Sequence, residues 1–144
     1  MIIEVVSAFI ASLAFGIIFN IKNRNLFFAA LCGALGWFVY KLSLNNGFSD
    51  TLSLFLASIS LSAYSEVFAR VLKTPVTTFI IVALIPLVPG GGMYYTMLEA
   101  ITGNIMTSLE IGIETIASAG VLAIGIILVS SITRTIVKYK KINV

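Results

Sequence analysis

The sequence predicts an all-α integral membrane protein with about five transmembrane helices, the fourth broken at a Pro/Gly motif. Three observations carry this. Hydrophobic residues make up 59% of the chain and charged residues 10%, against about 25% charged in ordinary soluble domains. The mean hydropathy is +1.09. The apolar residues also fall into five long segments separated by short polar turns, each about the length that crosses a bilayer. The whole chain, 1–144, reads as a single transmembrane domain.

The first segment, 2–19, contains one charge, Glu4. No basic residue precedes it, so it reads as a first membrane helix and not as a cleaved signal peptide. The turn holding Lys22 and Arg24 closes it. The second segment, 26–44, has Lys41 near its end and closes at Asn45-Asn46-Gly47. The third, 51–72, carries Glu66 and Arg70 late and stops before Pro75, because proline disfavours helix in the residue before it. The fourth, 77–98, has no charge but is interrupted over 86–92 by Pro86-Leu87-Val88-Pro89-Gly90-Gly91-Gly92. The fifth covers 111–137. Its start carries Thr107-Ser108-Leu109-Glu110, which fits a capping box, and Glu110 and Glu114 suit the positive end of a helix dipole.

Lysine and arginine in short loops set the orientation. Lys22, Arg24, Arg70, Lys73, Arg134, Lys138, Lys140 and Lys141 all fall on one side of a five-span arrangement; Lys41 alone dissents. Glu4, Asp50, Glu99, Glu110 and Glu114 fall on the other. The expectation is a plasma-membrane protein with its N-terminus outside and its C-terminus cytoplasmic. A four-span arrangement stays open, with the broken segment re-entrant or the first segment lying at the interface.

Several chemistries lack their parts. There is no histidine, and the only cysteine is Cys32. That removes the usual metal and haem ligand sets and histidine-based catalysis. No nucleophile–base pair is visible, so the chain does not read as an enzyme, and neither a cofactor nor a metal is expected. The formal charge of +3 sits at segment ends, where a bilayer places it, and does not suggest nucleic acid. The glycine run lacks the Gly-Lys-Ser/Thr of a phosphate loop.

The break is the candidate site. Residues 77–85 rise about 14 Å as a helix, roughly half the hydrocarbon thickness, so the interruption falls near the midplane. Open backbone there must be buried in protein or line a watery cavity. A half-helix starting near Met93 points N–H donors and a positive dipole end at the break, which suits a carboxylate. The candidate substrate-binding residues are Pro86, Pro89, Gly90, Gly91, Gly92, Tyr94, Tyr95 and Thr96. A kink needed only for packing is the competing reading.

Glu66 is the most deeply placed acid and the candidate coupling carboxylate, since ionisable groups within spans often mark transport paths. The alternative is a local ion pair with Arg70 one turn on. Lys41 reads as a snorkelling side chain, with anion attraction as a second role. Small residues recur at helical spacing in Ala29/Gly33 and Ala30/Ala34, in Ser58, Ser62 and Ser65, and in Ser118, Ala119, Gly120, Ala123 and Gly125. Such stripes let membrane helices approach closely. They exceed what one five-helix bundle obviously needs, so a partner subunit or a homo-oligomer is expected.

The run from Thr77 through Pro86-Leu87-Val88-Pro89-Gly90-Gly91-Gly92 to Met97 resembles the signature of the threonine/serine exporter family, in its smaller C-terminal-half module. Phe15-Gly16-Ile17-Ile18-Phe19-Asn20 and Gly33-Ala34-Leu35-Gly36-Trp37 are similar to it as well. The resemblance implies a subunit of a secondary transporter that exports small carboxylate-bearing solutes, threonine and serine or dicarboxylates such as succinate. It also implies a larger partner subunit carrying the other half, and coupling to the proton motive force. With no histidine, a proton carrier in this chain would be a carboxylate such as Glu66. An accessory or scaffold subunit and a passive pore former remain the alternatives.

Overall fold

The computed structural model describes residues 1–142, with side chains described through Val137. It is helical throughout. α1 runs Ile2–Ile18, α2 Asn23–Asn45, α3 Asp50–Val71 and α4 Thr77–Leu84; a 3-10 turn Ile85–Leu87 follows, then α5 Gly90–Thr102 and α6 Ile105–Ile142. The side chains of Lys138, Lys140 and Lys141, part of the basic cluster that sets the orientation, lie outside the described residues.

α2, α3 and α6 are long and apolar enough to cross a membrane, and the bent pair of α4 with its 3-10 turn and α5 brings the number to four if it is one broken span and not a re-entrant loop. α1 is apolar but shorter, at 17 residues. Local chemistry sets the ends. Asn20 takes a left-handed conformation, φ 58°, in the α1–α2 turn, which asparagine tolerates better than most residues. Ser49 caps α3, its hydroxyl accepting from the Leu52 N–H at 3.3 Å. Gly103, at φ 90°, ends α5. The Asn104 N–H donates to the Glu99 carbonyl at 2.9 Å and the Gly103 N–H to that of Ala100 at 3.4 Å. This is the paired closure of a helix that stops on a left-handed glycine.

That closure moves the start of the last helix. α6 begins at Ile105, so Thr107 and Glu110 sit inside it and form no capping box. The Ser108 hydroxyl instead donates to the Thr96 carbonyl of α5 at 2.7 Å, tying the two helices together.

α2 is central, packed on α1, α3 and α4, while α6 lies along α3. One apolar core joins Cys32, Leu54, Ala57, Leu61, Ala83, Leu87 and Leu122; a second joins Ala29, Ala69, Phe79 and Val82. The small-residue stripes serve these contacts. A Cβ at Gly33 would overlap the Ser12 side chain, and one at Gly125 would overlap Ser58. Gly120, by contrast, faces open space.

The register of α6 divides it in two. Leu122 joins the core with Leu54, and Val129 and Thr133 stand near Glu66 and Arg70. Ser58 of α3 meets Gly125. Counting back along both helices, Asp50 at the start of α3 comes level with Ser118, and the two line one cavity. Residues 105–117 therefore extend past the end of α3. They pair with α5 as a helical hairpin through Ser108–Thr96, Gly112–Thr96 and Thr115–Gly92.

Candidate functional site

The interruption of the fourth span is narrower than its sequence suggests. Pro86 lies inside the 3-10 turn, Val88 is extended, and Pro89 (φ −75°, ψ 57°) precedes the first residue of α5. The helix resumes at Gly90, so the three glycines form its first turn and are not part of the break. The two limbs are bent by 51°. Leu87 packs into Gly36 of α2 and Leu61 of α3, and Pro86 faces Ala8 and Ala11 of α1. These partners sit near the middle of their helices, a little toward the Glu4 end. The Gly90 N–H donates to the Val88 carbonyl at 2.7 Å and the Met93 N–H to that of Pro89 at 3.2 Å. Among the described residues no backbone carbonyl accepts from the N–H groups of Gly91 or Gly92, the positions where a helix start leaves donors free.

The eight candidate residues do not share one setting. Pro86 and Pro89 are half-buried and line cavities. Gly90 and Gly91 are exposed, and a side chain added at either would meet nothing within 4 Å. Gly92 is different: a Cβ there would overlap the Thr115 hydroxyl, so this glycine sets how closely α5 approaches α6. Tyr94 and Tyr95 are exposed, edge to face with ring centroids 5.3 Å apart. The Thr96 hydroxyl is already engaged, donating to the Gly92 carbonyl at 2.7 Å. Tyr94, Tyr95 and Thr96 do not border the cavities at Pro86 and Pro89.

Two cavities flank the break and share Trp37 and Pro86. One, of about 310 Å³, lies against α1 and includes Glu4 and Ser7. The other, of about 190 Å³, includes Tyr40, Asp50, Pro89 and Ser118. In the first, the Lys41 ammonium stands 3.2 Å from the Glu4 carboxylate. The one cation on the wrong side for the orientation rule is thus paired with an acid of the same side. In the second, the Tyr40 hydroxyl donates to Asp50 Oδ1 at 2.5 Å. The indole N–H of Trp37 is buried and has no acceptor among the described residues.

Glu66 is remote from the break. It is buried, and its carboxylate lies 2.7 Å from Arg70 Nη1. Arg70 also donates to the Glu66 carbonyl. The pair sits in a groove of about 480 Å³ with Ala63, Val67, Val71, Val129 and Thr133. The Glu66 side chain is 7% exposed and that of Arg70 45%. The acid is held inside while the guanidinium reaches the edge.

Sequence reasoning missed Trp37, Tyr40, Asp50 and Ser118. A short turn joins α2 to α3, and that signal places Tyr40 near Asp50. Nothing local places Ser118 beside them; that follows from the α3–α6 register.

Fold and site together define a small all-helical membrane protein organised around a discontinuous helix whose break borders two cavities. The chain belongs to the threonine/serine exporter family: the family model described as Threonine/Serine exporter, ThrE, matches residues 4–132, the broken helix included. No solved structure matches the chain.

Proposed function

We propose that this chain is one subunit of a secondary transporter that exports small carboxylate-bearing solutes, threonine and serine or dicarboxylates such as succinate. The observation that carries the reading is the discontinuous fourth span in a chain of this family. Helix-start N–H groups stand free at Gly91 and Gly92, next to a break that borders two cavities. Free donors at a helix N-terminus inside a membrane protein suit an anionic substrate group. The protein sits in the plasma membrane with five crossings, N-terminus outside. The Glu4–Lys41 pair supports that orientation by accounting for the one dissenting cation.

The site is incomplete in this chain alone. α5 has no buried residue, and Gly90, Gly91, Tyr94 and Tyr95 face outward. A larger exporter-family subunit packed on the α5–α6 hairpin would close the site and cover its apolar surface. The same exposure favours a second reading, in which this chain is a scaffold and the determinants of transport lie in the partner.

The test is efflux of preloaded radiolabelled threonine and, separately, succinate. Cells express this chain alone, with the larger subunit, or with that subunit and Gly91→Leu. Because open space surrounds Gly91, leucine there obstructs the helix start without disturbing this chain's packing. The export reading expects efflux only with both intact chains. Equal efflux with Gly91→Leu would move the site elsewhere and favour the scaffold.

A further inference from the structure

The cavity of about 190 Å³ between α2, α3, α6 and the break holds a charge that the export reading does not use. We infer that Asp50 is the ammonium-recognising residue of the solute site, so that the chain is built for a zwitterionic amino acid and against a dicarboxylate. This rests on the export reading of the same broken helix.

Asp50 is the cavity's only ionisable group of either sign apart from the Tyr40 phenol, and no lysine or arginine borders it. Lys41, one residue beyond Tyr40, is paired with Glu4 in the neighbouring cavity. The Tyr40 hydroxyl donates to Oδ1 of Asp50 at 2.5 Å, which orients the carboxylate and leaves Oδ2 to accept from a ligand. Asp50 is exposed, so it stands where the cavity opens. Trp37 also lines the cavity, and its indole N–H is buried without an acceptor among the described residues. Buried donors are satisfied in nearly all native structures, so an unsatisfied one beside a cavity calls for a partner. Ser118 adds a hydroxyl. Pro89, also in the wall, is the residue from which α5 and its free N–H groups start.

One compartment therefore offers a carboxylate oriented by Tyr40, the Ser118 hydroxyl, and in its wall Pro89, the residue that precedes the first turn of α5. A small amino acid matches that pattern. Its ammonium meets Asp50, and its carboxylate or hydroxyl meets the Ser118 hydroxyl. The volume, equal to about six liquid waters, suits a solute of that size and little more. A dicarboxylate brings two negative charges to a compartment whose only fixed charge is negative. Like-charge juxtaposition is one means by which a site rejects the wrong ligand.

Trp37 is the only tryptophan of the chain and lines the cavity, so its emission reports occupancy directly. The experiment places this chain, co-assembled with the larger exporter-family subunit, in lipid nanodiscs and titrates threonine, N-acetylthreonine and succinate while following the part of the tryptophan fluorescence that Trp37→Phe removes. The expected result is a saturable change with threonine alone, because acetylation removes the ammonium. Asp50→Asn should weaken threonine binding about ten- to a hundredfold, the scale of a lost hydrogen bond to a charged group. Tyr40→Phe should weaken it less. The ligand comparison leaves Asp50 and Tyr40 unaltered and stands even if either of those variants misfolds. No saturable response to threonine, an equal response to N-acetylthreonine or succinate, or unchanged affinity in Asp50→Asn would each overturn the inference. Asp50-dependent threonine binding with no efflux would keep the subsite and sink the export reading. Threonine efflux with unchanged affinity in Asp50→Asn would do the reverse.

Discussion

Gly91→Ala and Gly92→Ala differ by one position and should have opposite effects. Both residues belong to the first turn of α5. Exchanging glycine for alanine within a helix gains about 0.5–1 kcal/mol, because glycine loses the most backbone freedom on ordering. At Gly91 nothing opposes that gain, since an added Cβ meets no atom within 4 Å. At Gly92 the added carbon would overlap the Thr115 hydroxyl and stand 3.3 Å from Thr115 Cβ. Overpacking of that kind costs about 1–3 kcal/mol, so the net effect is a loss of about 1–2 kcal/mol. At this chain length that lowers the melting temperature by roughly 3–8 °C. The assay is thermal unfolding of the purified protein in one detergent, with Thr115→Ala added as a second change. Trimming Thr115 removes the atoms in the way, so the double variant should recover about 1 kcal/mol. If Gly92→Ala melts no lower than Gly91→Ala, or Thr115→Ala rescues nothing, then α5 does not rest on α6 through this turn. The reasoning about the hairpin then fails.

Two further predictions concern single residues. Arg70→Met should destabilise the protein by about 3 kcal/mol, because it leaves the Glu66 carboxylate buried and unpaired, whereas Glu66→Gln leaves an arginine already 45% exposed and should cost about 1 kcal/mol; denaturant titration of both variants checks the asymmetry, and equal losses would sink it. Gly103→Ala should cost about 1–2 kcal/mol, since alanine resists a φ of 90°; an unchanged melt would mean that the α5–α6 turn is built differently.

The class of the protein was legible because it rests on composition and segment length, which the bilayer constrains whatever the packing. The break was legible for the same reason: two prolines in an uncharged segment cannot be hidden. Its inner detail was not. The glycines looked like broken backbone because glycine disfavours helix, but the cost of each is only about 0.5–1 kcal/mol, and Gly92 is needed there for the approach to Thr115. The Thr107–Glu110 box had the right residues, yet Gly103 and Asn104 close α5 so tightly that α6 starts at Ile105. Local propensity yields when a turn upstream fixes where the chain re-enters a helix. Asp50 read only as one of the acids on the side opposite the basic residues. Its place beside Trp37 and Ser118 depends on helix register, which periodicity does not encode.

The two limbs of the broken span are held very unequally, and that bears on how such a site works. α4 is anchored: Phe79, Val82 and Ala83 are completely buried against α2 and the third helix. α5 buries no residue and rests on the first third of α6. Between them the joint is Val88, in extended conformation, and Pro89, which leads into α5. Local stability follows buried apolar contact, so the limb after the joint is the less strongly held of the two. The free N–H groups of Gly91 and Gly92 belong to that limb, whereas Trp37, Tyr40 and Asp50 belong to the helices packed around the other. On the proposed export reading, a solute held by both sets would bridge the anchored half and the loosely held half. Its binding energy would then depend on the angle at the joint, which is the differential affinity that a carrier needs to couple occupancy to a change of shape.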